Sequence, residues 1–223
     1  MNEHAVVRFY RAPIDGSTKT VFDLWEVHSS NGDSTTPSVA SPEYRQKVSR
    51  LLAELASPQK GVFSIGCGNG FVEAELINLG IKVSAIDMMQ EAVDYARRKG
   101  IMANRADFFD LQPGCIDDSS VIYSDGFLGH VFEPQHGLGR FFTKLRALSP
   151  APGIVLVCSF DQPCQGEFQL HPSVPDFYFL SVSLVRSEFE RFGFSIQTTI
   201  EIPYVRPISG LKLRGLCVGR FVS

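Results

Sequence analysis

The chain has 223 residues, 44% of them hydrophobic and 20% charged, which is the balance of a globular protein with a sizeable core and excludes a disordered one. A formal net charge of −3 offers no basic footprint for nucleic acid or an anionic membrane surface, and no apolar run reaches the length of a membrane span. The five cysteines, Cys67, Cys115, Cys158, Cys164 and Cys217, include no Cys-x-x-Cys pair, and the five histidines show no zinc-ligand spacing; the expectation is a cytoplasmic protein with reduced thiols, Cys67, Cys158 and Cys217 buried, and no metal. The opening residues, MNEHAVVRFY, lack a signal-peptide pattern.

In chain order, the first forty residues read as irregular, with SSNGDSTTPSVASP at 29–42 as loop. Ser41-Pro42-Glu43 then reads as a helix start: Ser as N-cap, Pro in the first position, an acid in the first turn. Val48, Leu51, Leu52 and Leu55 continue at helical spacing, and Pro58 closes the helix. From residue 61, short apolar runs alternate with helical segments. GVFSI, IKVSAI, IMANRA, VIYS and GIVLVCSF are the predicted strands, and the last is apolar throughout, as in a central strand. Helices are expected up to Gly80, up to Gly100, and through Leu138, Phe141, Phe142, Leu145 and Leu148. This alternation implies βαβ units and a parallel sheet. After a helix near 182–192, FSIQTTIEI and LKLRGLCVGRF follow with no helix between them, only a loop containing Pro203, Pro207 and Gly210. They predict an antiparallel pair.

The stretch VFSIGCGNGFVEAEL, residues 62–76, joins the first strand to the next helix through Gly66, Gly68 and Gly70. Bare backbone at a helix N-terminus suits a nucleotide ligand, although such turns also serve simply as connectors. A dinucleotide fingerprint wants a third glycine at position 71, where Phe71 stands. Asp87 ends the second strand, and a carboxylate there accepts hydrogen bonds from both hydroxyls of a ribose. Ribose is provided for; pyrophosphate less so.

VFSIGCGNG, AIDMMQEAVDYAR and ADFFDL, followed by the segment from Tyr123 to Val131 and by Leu148-Ser149-Pro150 before GIVLVCS, resemble in sequence and order the motifs of the Rossmann-like class I methyltransferases that use S-adenosylmethionine. The resemblance runs from about residue 60 to the C-terminus. It implies an α/β fold with helices on both faces of a seven-stranded, mostly parallel sheet whose last strand is antiparallel. It also implies two parts: residues 1–58 as an N-terminal lid segment and helix, with Phe22, Trp25 and Tyr44 as its aromatic residues, and 59–223 as the cofactor-binding domain. By position, Gly66, Cys67, Gly68 and Gly70 would wrap the amino acid end of S-adenosylmethionine and Asp87 would hold the ribose. Met88 would flank the adenine, Asp107 and Phe108 would meet its edge and face, and Ser124 and Asp125 would lie beside the methionine. The family usually has an acid where this chain has Ser64; Asp125 or an N-terminal residue could compensate.

His130 follows the fourth strand, and Phe127-Leu128-Gly129-His130 also resembles a segment of amino-sugar N-methyltransferases. Two roles stay open for it: a base that takes a proton from the acceptor, or a loop-packing histidine. His171, with Phe168, Phe177, Tyr178 and Phe179, could line an acceptor pocket or cover the sheet, while Glu133 and His136 read as solvated. The Asn/Asp-Pro-Pro-Tyr/Phe signature of enzymes acting on base amino groups is absent. The expectation is a methyltransferase acting on a nitrogen or oxygen of a small molecule such as a natural product or sugar, with no nucleic-acid or membrane partner. A non-catalytic protein acting through cofactor or partner binding is the alternative, and Ser64 favours it.

Overall fold

The computed structural model describes residues 5–14, 16–57, 59–148 and 150–222. The expected helix stop at Pro58 and the Ser149 of the Leu-Ser-Pro segment lie outside them. The chain runs α1 (Ala5–Arg11), α2 (Val21–Glu26), α3 (Pro37–Ala40), α4 (Pro42–Leu55), β1 (Gly61–Ile65), α5 (Phe71–Asn78), β2 (Val83–Asp87), α6 (Gln90–Arg98), β3 (Met102–Arg105) and a 3-10 turn at Phe108–Asp110. It continues with β4 (Ser119–Asp125), α7 (Leu128–Val131), α8 (Gly139–Ala147), β5 (Val155–Asp161), β6 (Phe168–Leu170), β7 (Tyr178–Leu180), α9 (Val182–Arg191), β8 (Phe194–Arg206) and β9 (Gly210–Phe221).

Seven strands form one sheet in the order β3-β2-β1-β4-β5-β9-β8. β1 to β5 are parallel, and β9 runs antiparallel to both β5 and β8. The expected fold is therefore the one found. Side chains alternate between the faces with period two: Phe63 and Ile65 join a core with α8 and α9, whereas Val62 joins a second core with α4, α5 and α6. β5 is buried along its whole length, as its apolar run implies.

Three expectations are corrected. The first forty residues carry α1, α2 and α3, short helices with too few turns to show a periodic stripe. Pro203 lies inside β8 rather than in the loop after it; β8 is the edge strand, where proline is tolerated. Cys67 is half-buried, while Cys158 and Cys217 are buried and all five thiols are free. The start of α4 is as read: Ser41 Oγ accepts a hydrogen bond from the Tyr44 N–H at 3.1 Å, with Pro42 at the first helical position. The N-terminal helices dock through Val7, Val21, Phe22, Trp25 and Val39 onto Met89, just before α6, and Ala92 within it.

Candidate active site

A cavity opens at the carboxyl ends of β1, β2 and β4, covered on its other side by α1, α2 and residues 33–39. The strand order reverses between β1 and β4, so this is the crevice in which open α/β sheets bind ligands.

The glycine turn forms one wall. Gly66, Gly68 and Gly70 have φ of 68°, 53° and 76°, a left-handed backbone that other residues adopt only at a cost of about 1–2 kcal/mol. A Cβ placed on Gly68 would meet nothing nearer than the Trp25 ring at 4.0 Å, so the turn leaves a backbone-lined cradle. Gly70 caps the start of α5 against Ile101 and does not reach the cavity. Cys67 does reach it; its thiol donates to the Gly68 carbonyl at 3.5 Å.

Asp87 ties the second strand to this turn. Its Oδ2 accepts from the Gly68 N–H at 2.9 Å and its Oδ1 from the Met89 N–H at 2.8 Å. Each oxygen keeps a further lone pair for a ligand hydroxyl. Burial, opposed by those two donors, holds the carboxyl above its ordinary range. Met88, Asp107 and Phe108 also line the cavity. Asp107 Oδ1 accepts from the Phe109 N–H at 2.9 Å, and Phe108 is anchored edge-to-face against Phe127.

Asp125 ends β4 with its Oδ1 held by Arg214 and, at 3.2 Å, by the Tyr44 hydroxyl; its Oδ2 is buried without a partner. Ser124 is fully buried, donates to the Cys158 thiol at 3.3 Å, and stands behind the cavity wall, not in it. Tyr44, expected in the lid segment, does not line the cavity; its hydroxyl meets the Ser159 hydroxyl at 2.6 Å. Phe22 and Trp25 do face the cavity.

His130 lines the cavity as well. Its Nε2 lies 3.1 Å from the Tyr10 hydroxyl, and its Nδ1 is buried with no partner. Burial pushes the imidazole down to about 4, so the ring is neutral at physiological pH. Phe177 packs edge-on at 4.7 Å between ring centroids. Among the expected acceptor aromatics, Phe177 alone is a wall residue; Phe168 is 40% exposed, and Phe179 packs with Val174 and Phe177 in one small cluster.

Five residues were not legible as site residues in the sequence. Glu73, 3% exposed, faces the cavity from α5, and its Oε1 accepts from the Ser64 hydroxyl at 2.5 Å. Burial raises its carboxyl to about 7. Tyr10, from α1, partners His130. Asp161 and Arg206 line the cavity beside His171, with Arg206 Nη2 2.6 Å from Asp161 Oδ2 and Arg206 Nη1 3.1 Å from His171 Nε2. Arg214, wholly buried, pairs with Asp125 and, at 2.8 Å, with Asp161. A charge inside the apolar run of β9 was the available signal for Arg214.

No protein-family model matches the chain. It is 43% identical over 204 residues to a tabtoxin biosynthesis enzyme of Pseudomonas amygdali pv. tabaci, covering 91% of this chain and 81% of that one. A further match, 30% identical over 139 residues, is to an S-adenosyl-L-methionine-dependent Diels-Alderase of Talaromyces variabilis, over 55% of this chain and 46% of the relative. Among solved structures, the Burkholderia thailandensis 1,6-didemethyltoxoflavin-N1-methyltransferase, with bound 1,6-didemethyltoxoflavin and S-adenosylhomocysteine, superposes with a TM-score of 0.63 at 19% identity, over 82% of this chain and 80% of that one. The chain thus belongs to the family of the tabtoxin biosynthesis enzyme, built on the fold of the class I S-adenosylmethionine-dependent methyltransferases.

Proposed function

We propose that the protein transfers a methyl group from S-adenosylmethionine to a nitrogen or oxygen of a small molecule, a natural product, sugar or similar metabolite. The observation that carries this reading is one continuous cavity lined by the glycine turn, Asp87 and His130. The residues fit the cofactor: an open backbone cradle over Gly68, a carboxylate at the tip of β2, and an unpartnered Asp125 oxygen. When bound, the cofactor supplies an electrophilic methyl group on a positively charged sulfur.

The roles follow from position. Gly66, Cys67 and Gly68 take the amino acid end, with Gly70 holding the turn in shape. Asp87 takes the ribose hydroxyls, Met88 flanks the base, and Asp107 and Phe108 meet its edge and face. Asp125 lies by the methionine chain, with Ser124 fixing the strand behind it. Residues 1–58 act as a lid on the domain at 59–223, excluding water from the cavity. The setting is the cytoplasm, without nucleic-acid or membrane partners.

His130 is the base. The tautomer with Nε2–H donating to the Tyr10 oxygen leaves Nδ1 as a bare acceptor for a proton from the substrate. Orientation against the cofactor does the rest of the work.

A second reading, in which the bound cofactor acts without giving up its methyl group, draws on the relative named as a Diels-Alderase. Release of S-adenosylhomocysteine during turnover separates the two.

The first experiment is calorimetric titration with S-adenosylmethionine, S-adenosylhomocysteine and NAD. Saturable binding of the first two and none of NAD is expected; no binding of either sulfur compound to folded protein overturns the reading. In an acceptor screen, His130→Ala should lower kcat by roughly 100-fold or more with cofactor affinity unchanged. Because the imidazole titrates near 4, the acid limb of the wild-type rate should lie far below the ordinary histidine range. Unaltered turnover of the variant at every pH would remove His130 from the chemistry.

A further inference from the structure

We infer that Glu73, on helix α5, supplies the carboxylate that receives the α-ammonium group of the cofactor, in place of the acid that strand β1 lacks at Ser64. The inference rests on the cofactor reading above.

The geometry begins with strand parity. Ser64 shares the face of Val62, which packs toward α5, so its hydroxyl meets Glu73 Oε1 at 2.5 Å. A serine at this point is too short to reach a ligand as an acid would, but it holds a carboxylate that can. Glu73 lines the cavity immediately after the glycine turn that is to wrap the amino acid end.

Its surroundings leave a charge unanswered. The groups facing it are Ser64 of β1, Cys67 of the turn, Asp87 of β2, and Tyr123 and Asp125 of β4. All are neutral or negative. Arg214, the buried cation beside Asp125, is committed to Asp125 and Asp161. Among the described residues no lysine or arginine pairs with Glu73. A buried carboxylate without a cation stays protonated part of the time near neutral pH, as its rise to about 7 reflects. An ammonium group arriving beside it restores the charge balance and favours the ionised form.

Two consequences follow. S-adenosylmethionine and S-adenosylhomocysteine carry the same ammonium group, so Glu73 serves both and does not depend on the sulfonium. Binding of either must expel the proton from Glu73. The chain would therefore couple cofactor uptake to pH through an acid displaced from strand to helix.

The test is calorimetric titration of the full chain with S-adenosylhomocysteine near neutral pH, in two buffers of different ionisation enthalpy. Wild type should release about half a proton per ligand at pH 7, given a carboxyl near 7. Glu73→Gln, which keeps the shape of the protonated acid, should abolish that release and weaken binding roughly 10- to 100-fold. Ser64→Asp in the Glu73→Gln background should recover part of the affinity. Equal affinity and equal proton release in wild type and Glu73→Gln would overturn the assignment. Should Glu73→Gln fail to fold by circular dichroism, wild type decides: binding without proton release overturns the proposal. Wild type that is folded and binds neither sulfur compound rejects the cofactor reading itself, and the Glu73 assignment with it.

Discussion

Arg214 has no exposed surface, yet it carries a full charge within β9. Its guanidinium reaches Asp125 and Asp161 and donates Nε–H to Ser159 Oγ at 2.9 Å. Asp161 has a second cation in Arg206, so removal of Arg214 would leave Asp125 as the uncompensated charge. Arg214→Met should therefore lower the unfolding free energy by about 3–5 kcal/mol, as read by urea denaturation, and Asp125→Asn in the same chain should return part of the loss. No loss in Arg214→Met would show that the network adds nothing to stability. The sequence marks Arg214 as odd but does not give its partners. Asp161 lies directly opposite it in the β5–β9 register, and that pairing exists only once the sheet is formed. Asp87 and His130 were legible because they sit at motif positions. Glu73 was not, since an acid in the first turn of a helix reads as an ordinary favourable charge there.

At the scale of elements, the parallel strands were legible because each is a short apolar run bounded by glycine or polar residues, and their alternation with helices implies parallel pairing. The three-residue strands β6 and β7 were not: neither is long enough to show an alternation, and β6 is exposed at every position. β7 nevertheless follows directly on Phe177, a residue of the cavity wall. The short helix α7 carries His130, and Gly129 within it lies against β7 and the residue before it. A Cβ at Gly129 would stand 2.6 Å from Phe177 Cε2 and 2.6 Å from the Tyr178 carbonyl oxygen. The ring can move; the carbonyl is backbone. Gly129→Ala should cost about 1–3 kcal/mol and displace His130 and Phe177. Thermal unfolding should register the loss, while S-adenosylhomocysteine affinity should stay near wild type, because the glycine turn and Asp87 lie elsewhere on the cavity wall. An unshifted melting curve would mean that α7 slides freely on the small sheet.

For the whole molecule, the buried titratable groups pull stability in opposite directions with pH. His130 and His171 are held down to about 4 by burial, with Arg206 adding to the effect at His171. The unfolded chain therefore binds more protons than the native one between that value and the ordinary histidine range near 6.5. Their share of stability is full above that range and is lost as pH falls through it toward 4. Glu73 works the other way. Its folded value of about 7 lies above the ordinary carboxylate value, so its contribution is present at low pH and is lost as pH rises through 7. Asp87, also raised by burial, has the same sign. Cofactor-free protein should thus be most stable in mildly acidic solution, with Glu73 responsible for much of the decline as pH rises toward and through 7. Glu73→Gln cannot ionise. By the difference between 4.5 and about 7, it should gain about 2 kcal/mol on wild type between roughly pH 5.5 and pH 8. Chemical denaturation at those two values measures the gain. Saturating S-adenosylhomocysteine should shrink or reverse it, because the ligand's ammonium group then stabilises the wild-type carboxylate and finds no counterpart in the variant. A constant difference between the two proteins at both pH values, without ligand, would show that Glu73 titrates as an ordinary solvated acid and that the charge at the centre of this site is already balanced.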